Sequence, residues 1–241
     1  MIKKLFIEKS KIMSHSAKNI IEPVSIDCVI FGFEDQQLQV LLIKRAVDLY
    51  RGKWALPGGF ILQNEDIDAA SMRILKDMTG VSLYMEQLKA FGSVDRFPGK
   101  RVITIAYYAL IKPKHFQLAP GEEATDAQWF PVRDVPSLPF DHGEILETAL
   151  KTLKWKVRHQ PIGFELLPEK FTLLQLQDLY QAILEKKLDK SNFRRKLKNI
   201  DVLTPLGEKQ TGVAHRAAEL YKFNIQRYQS LTKSGFVVEF V

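Results

Sequence analysis

Cysteine is almost missing: Cys28 is the only one in 241 residues. A disulfide within the chain is thereby excluded, and Cys28 sits in the apolar run IDCVIFGF, the setting of a buried small hydrophobe rather than of a nucleophile. Long apolar runs are missing too. No segment approaches the roughly 18 uncharged apolar residues that a membrane span needs, and MIKKLFIEKSKIMSHS lacks an apolar core of signal-peptide length, so a cytoplasmic protein with no membrane partner is expected. The five histidines are scattered, with no pair at ligand spacing, so neither a metal site nor a cofactor is expected. A composition of 46% hydrophobic and 26% charged residues is that of a soluble globular chain.

Acidic residues are scarce in one part only. Residues 1–150 hold 18 Lys and Arg against 19 Asp and Glu, whereas 151–241 hold 17 against 9. The formal charge of +7 therefore belongs to the C-terminal part. That asymmetry is the pattern of a neutral module joined to one that meets a polyanion, with nucleic acid the leading partner.

From Ile26, the runs IDCVIFGF and LQVLLI flank a polar EDQQ turn and predict a hairpin. RGKWALPGG, residues 51–59, is a Gly- and Pro-rich loop. Asn64 to Asp66 then offer capping side chains to a helix ending near Thr79, with Gly80 as its stop. Further strands are expected at 101–111 and 125–130, and a second helix from Asp141 or His142 to about Val157. Alternating strands and two helices predict an α/β sandwich of about 150 residues. The texture changes near Gln160. Thr172 opens a helical stripe through Leu176, Leu179, Tyr180 and Ile183, and Asp189 caps SNFRRKLKNI, where Phe193 and Leu197 point inward. Two short strands, about 202–206 and 219–224, complete a helix-turn-helix with a two-stranded wing.

What is most conspicuously absent lies inside GFILQNEDIDAASMRILKDMTGV, residues 59–81. Gly59, Glu65, Arg73, Leu75, Gly80 and Val81 match by spacing the Nudix box, a pyrophosphate-hydrolysing motif, and Trp54, Pro57 and Gly58 also look like that family. The resemblance implies a Nudix fold. The box places three carboxylates at positions 74, 77 and 78, which lie on one helix face where they can hold hard divalent cations. Here they are Ile74, Asp77 and Met78. One shortened carboxylate does not replace three, and Ile67, Ala70, Ile74 and Met78 instead form a packing stripe. No catalytic residue is assigned. Glu65 and Arg73 are expected to tie loop to helix by a charge-assisted hydrogen bond. The rival reading is a hydrolase of nucleoside diphosphate derivatives in which Asp77 and Glu65 salvage a metal site.

In the basic module Lys190, Ser191, Asn192, Arg194, Arg195, Lys196 and Lys198 suit a recognition helix. Asn192 can pair with adenine and Arg194 or Arg195 with guanine, while the lysines suit phosphates. His215 and Arg216 occupy the expected wing tip. An RNA or protein adaptor is the competing reading of this module.

The ordered combination, with FTLLQLQDLYQAIL, LDKSNFRRKL, HRAAELYKFN, YMEQLKAFGSVDR, VITIAYYALI and FDHGEIL, resembles the Nudix-related transcriptional regulators, the NrtR family. It is most similar to the arabinose-responsive branch rather than the ADP-ribose-sensing one. Ala217 departs from the proline that many members carry there. The resemblance implies an N-terminal extension (1–21), a Nudix-like α/β/α sandwich (22–157) and a C-terminal winged helix-turn-helix domain (158–241). It also implies a homodimer on a palindromic operator, with a small-molecule effector, L-arabinose or a related pentose, or else ADP-ribose. Candidate effector contacts are Lys44, Arg45, Asp95, Arg96 and Arg101, with Phe60 or Phe91 available to stack on a ring.

Overall fold

The computed structural model describes residues 23–47, 49–212 and 217–235. The expected N-terminal extension and both wing-tip candidates, His215 and Arg216, lie outside them.

β1 (Val24–Glu34) and β2 (Gln37–Arg45) form the expected antiparallel hairpin. Asp35 and Gln36 both have positive φ (49° and 61°), the two-residue turn whose twist matches that of the strands it joins. β3 (Trp54–Ala55) and β4 (Gly58–Phe60) are short strands within the Gly- and Pro-rich loop. Then come α1 (Ile67–Thr79), β5 (Glu86–Phe91), β6 (Ile103–Ile111), β7 (Ala124–Pro131) and α2 (His142–His159). The seven-stranded sheet runs β3-β2-β1-β6-β5, with β4 paired to β1 and β7 to β2. β1 and β6 are parallel, so the chain must cross over between them, and α1 is the helix in that crossover.

Alternation along β1 divides the core into two layers. Ile26, Cys28 and Ile30 pack with Ala70, Ile74, Leu75 and Met78 of α1, while Val29 and Phe31 pack with Ile145, Ala149 and Leu153 of α2. This is the expected α/β/α sandwich; Ala70, Ile74 and Met78 of the apolar stripe on α1 are part of its core, whereas Ile67, expected in that stripe, is 42% exposed because it opens the helix at its N-terminus.

The second core layer continues without interruption into the C-terminal domain through Phe164, Leu166, Leu167 and Phe171. α3 (Leu173–Leu184) starts with a capping box, in which Thr172 Oγ1 accepts from Gln175 N while the Gln175 side chain accepts from Thr172 N. α4 (Lys190–Ile200) starts at Asp189, whose carboxylate accepts from Asn192 N at 2.8 Å. β8 (Leu203–Lys209) and β9 (Glu219–Phe223) are the antiparallel wing strands, and β9 is tied back by the Phe171–Tyr221 bridge. The fold class is thus as expected.

Besides β3 and β4, which lie where only a loop is expected, three details differ from expectation. Asp66 occupies the N-cap of α1, but its side chain makes no capping hydrogen bond. β5 is an additional strand, mostly exposed and so without the alternation that would announce it. α5 (Ile225–Lys233) comes after the wing, capped by Asn224, which accepts from Arg227 N at 2.9 Å.

Candidate functional site

Gly59, Glu65 and Arg73 come together as their spacing implied. Arg73 forks onto Glu65, with Nε to Oε2 at 2.8 Å and Nη2 to Oε1 at 2.6 Å, and Nη2 also donates to the Phe60 carbonyl at 3.0 Å. Leu62 N donates to Glu65 Oε1 at 2.7 Å. Loop and helix are therefore stitched by a bidentate charged pair. The hydrogen bonds from Arg73 and from Leu62 N hold the Glu65 carboxyl down at about 2, against an ordinary 4.5. A depressed carboxyl contributes stability that is full above 4.5 and is lost as pH falls toward 2. Glu65→Gln is expected to remove that portion of the acid limb in a pH series of melting temperatures. An unchanged acid limb would rule the pair out as its source.

Beside this stitch opens a cleft of about 740 Å³, within the range of small-molecule sites. Ile74, Asp77 and Met78 of α1 line it, together with Asp27, Arg45, Arg96, Glu122, Glu123 and His142. No group of three or more His, Cys, Asp or Glu that could hold a metal ion occurs among the described residues.

A buried charge network closes the rear of the cleft. Arg96 donates Nε to Asp141 Oδ2 (2.8 Å) and Nη2 to both Asp141 Oδ1 (2.7 Å) and Asp27 Oδ2 (3.1 Å), and its side chain is only 3% exposed. Leu56 N donates to His142 Nδ1 at 3.0 Å, which leaves the ring proton on Nε2, 3.3 Å from Asp27 Oδ1. Burial alone would raise the Asp27 carboxyl, but the His142 imidazole and the Arg96 guanidinium outweigh it and hold the group below its ordinary value. Gly58 completes the packing: a Cβ there would meet Asp27 Oδ1 at 2.2 Å.

Aromatic rings form the cleft wall. Phe97 and Phe140 stack with centroids 5.0 Å apart and planes 8° from parallel, and Phe60 lies 6.3 Å from Phe97. Phe140 is held at φ 56°, a costly left-handed conformation for an aromatic residue that its neighbours must impose. The Arg45 guanidinium lies 5.2 Å from the Phe140 ring centroid, and its Nε donates to the Leu49 carbonyl at 2.9 Å.

Of the five effector candidates, Arg45 and Arg96 line the cleft. The other three are placed differently. Lys44 sits 6.0 Å from the Trp54 ring centroid, Arg101 donates to Ser93 O at 3.1 Å to close the 92–101 loop, and Asp95 is exposed on that loop. Phe60 is in the wall, whereas Phe91 is buried in the core. Sequence reasoning did not assign Asp27, Phe97, Phe140, Asp141 or His142 to the site, because they converge only through the fold.

On α4, Phe193, Leu197 and Ile200 are buried, while Lys190, Ser191, Asn192, Arg194, Arg195 and Lys198 are exposed and Lys196 is half-buried. Ser191, Arg195 and Lys198 recur at helical spacing on the face opposite that anchor. Arg195 Nη2 donates to Asn192 Oδ1 at 2.8 Å. Asn199, exposed on the same helix, is a further polar candidate that the sequence alone did not single out.

Comparison with known proteins agrees with both halves. The model of the NUDIX domain matches residues 22–150, and that of the NrtR DNA-binding winged helix domain matches 163–223. The "ADPR responsive transcriptional repressor NtrR" of Acinetobacter baylyi is 33% identical over 210 residues, 85% of this chain and 83% of that protein. An ADP-ribose pyrophosphatase of Methanocaldococcus jannaschii is 31% identical over 157 residues, 65% of this chain and 84% of the enzyme. Shewanella oneidensis NrtR complexed with a 27mer DNA superposes with a TM-score of 0.71 at 32% identity, covering 86% of this chain and 95% of that one. The NUDIX domain of the same protein, complexed with ADP ribose, gives 0.53 at 32% identity over 61% of this chain and 98% of that one. A Nudix domain followed by this particular winged helix, matched in order along one chain, places the protein in the NrtR family.

Proposed function

We propose that the protein is a DNA-binding transcriptional regulator whose Nudix cleft binds ADP-ribose without cleaving it, and that cleft occupancy changes its affinity for an operator. The observation that carries this reading is the pair Ile74 and Met78, which line the cleft where a hydrolase needs carboxylates to hold its cations. Likeness to a repressor described as ADPR responsive, and to a NUDIX domain complexed with ADP ribose, supports the choice of effector. The expectation of L-arabinose or another pentose gains no support from these relatives, and ADP-ribose takes its place.

Within the cleft, Arg73 is engaged by Glu65, and Arg96 by Asp27 and Asp141. Arg45 is the lining arginine with no ion pair among the described residues, so its two terminal amino groups suit the diphosphate. The exposed face of Phe60 suits a planar base. Two protomers would present two copies of α4 to the two halves of a palindromic operator.

Thermal-shift screening with ADP-ribose, NAD, L-arabinose and other pentoses tests the effector, since a ligand that binds only the native state raises the melting temperature. ADP-ribose is expected to give the largest shift, and a shift with a pentose alone would displace it. The second reading, an ADP-ribose pyrophosphatase, is favoured by the Methanocaldococcus relative and by Asp77, Glu122 and Glu123 in the cleft lining. Incubation of ADP-ribose with the protein and Mg²⁺ or Mn²⁺ decides between them. Turnover at ordinary enzyme rates, on the order of 1 per second or more, would establish the enzyme.

A further inference from the structure

Three elements of the sandwich start or end at the cleft and also reach the junction with the DNA-binding domain. β2 carries Arg45 in the cleft wall and Gln37 and Leu38 at the junction. β7 begins directly after the cleft residues Glu122 and Glu123 and leads to Pro131 and Arg133 at the junction. α2 begins at His142 in the rear network and brings Leu150 and Lys154, about 12 and 18 Å farther along at 1.5 Å per residue, to the junction from the middle of the helix. At that junction the three elements enclose a cavity of about 170 Å³ with Ala182, Ile183 and Glu185 from the end of α3.

Glu185 is the charged link across this junction. Lys154 Nζ reaches its Oε2 at 2.5 Å and Arg133 Nε lies 3.7 Å from its Oε1, so one carboxylate of the DNA-binding domain meets α2 and the turn Val132–Asp134 that follows β7. The residue sits at φ 53°, ψ 34°, the left-handed turn that ends α3. The chain from there to α4 is tied back to α3. Gln181 Oε1 accepts from Leu188 N at 2.9 Å and the largely buried Gln177 donates to Leu188 O at 2.9 Å, after which Asp189 caps α4. A displacement at Glu185 therefore reaches α4 with little slack.

We infer that Glu185, gripped by Lys154 and Arg133, is the positioning residue through which occupancy of the Nudix cleft reorients the recognition helix. This role rests on ADP-ribose being the effector of that cleft. An effector shifts operator affinity only if it favours one of two domain arrangements, and a link that ties cleft-lining elements to the turn before α4 supplies that difference.

The test is operator affinity by fluorescence anisotropy, with and without saturating ADP-ribose, in the full-length protein, in Glu185→Gln, and in the exchanged pair Lys154→Glu with Glu185→Lys. The unaltered protein is expected to change affinity on adding ADP-ribose by a factor in the usual allosteric range, about 5- to 150-fold. Glu185→Gln should reduce that factor to about twofold or less while the affinity without effector and the ADP-ribose thermal shift stay near those of the unaltered protein. The exchanged pair, which restores the bridge between positions 154 and 185 but leaves Arg133 facing a like charge, should recover part of it. A merely structural role would not move this ratio selectively. A full response in Glu185→Gln alongside a normal thermal shift overturns the inference alone, as does loss of operator binding before any effector is added. Absence of a thermal shift in the unaltered protein overturns the effector reading, and this inference with it.

Discussion

Arg96→Leu is expected to cost about 3–5 kcal/mol of folding stability, the usual penalty for removing one partner of a buried charged pair. The substitution leaves Asp141 and Asp27 in the interior with the cation gone, because the Arg96 side chain is 3% exposed and meets both carboxylates. His142 alone cannot replace it, since its Nδ1 already accepts from Leu56 N and only Nε2 faces Asp27. Urea denaturation measures the loss directly. A protein of this size should melt about 10 °C lower or more. Arg96→Lys keeps the charge without the fork and should fall between the two, and a loss below about 1 kcal/mol in Arg96→Leu would mean that water already screens the cluster. The effect should extend to the cleft wall, because Phe97 is the next residue in the chain and stacks on Phe140, which directly precedes Asp141.

Arg195→Ala should weaken operator binding by about 1–3 kcal/mol, roughly 5- to 150-fold, the range for a side chain that reads a base edge. Geometry dictates the choice. Arg195 is exposed on the face of α4 opposite Phe193 and Leu197, and its bond to Asn192 Oδ1 arranges the two side chains together. Lys198→Ala should act differently, weakening specific and scrambled duplexes alike and lowering the salt slope by about one, as loss of a phosphate contact does. Anisotropy titrations over a salt series separate the two. If Arg195→Ala left operator affinity untouched, α4 would not be the reading helix.

Much of this architecture was legible in the sequence because local rules govern it. The EDQQ turn, the Gly80 stop, the Thr172 and Asp189 caps and the inward pair Phe193 and Leu197 are each dictated by two or three neighbouring residues. The elements missed had weak local signals. β3 and β4 are only two and three residues long, β5 buries a single residue fully, and α5 buries none. The box residues were also legible, down to the pairing of Glu65 with Arg73, since one loop and one helix carry them.

The rest of the site was not, for a topological reason. Arg96 and Asp141 are 45 positions apart, and Leu56 and His142 are 86 apart. Only the folded sheet, with β1 between β2 and β6, brings them behind one cleft. A choice of charged residues at strand ends therefore took in Arg45 and Arg96, which line the cleft, together with Lys44, Asp95 and Arg101, which do not.

The burial of Cys28 has a practical corollary. Its side chain is sealed between sheet and α1, and burial pushes the thiol well above its ordinary range, so the reactive thiolate is suppressed at neutral pH. A single cysteine introduced on the surface, at Asn199 for instance, would react with maleimide dyes or nitroxides against almost no background. With a second cysteine introduced in the Nudix domain, the distance between the two labels would track how the two domains turn relative to each other, without first engineering the native thiol away.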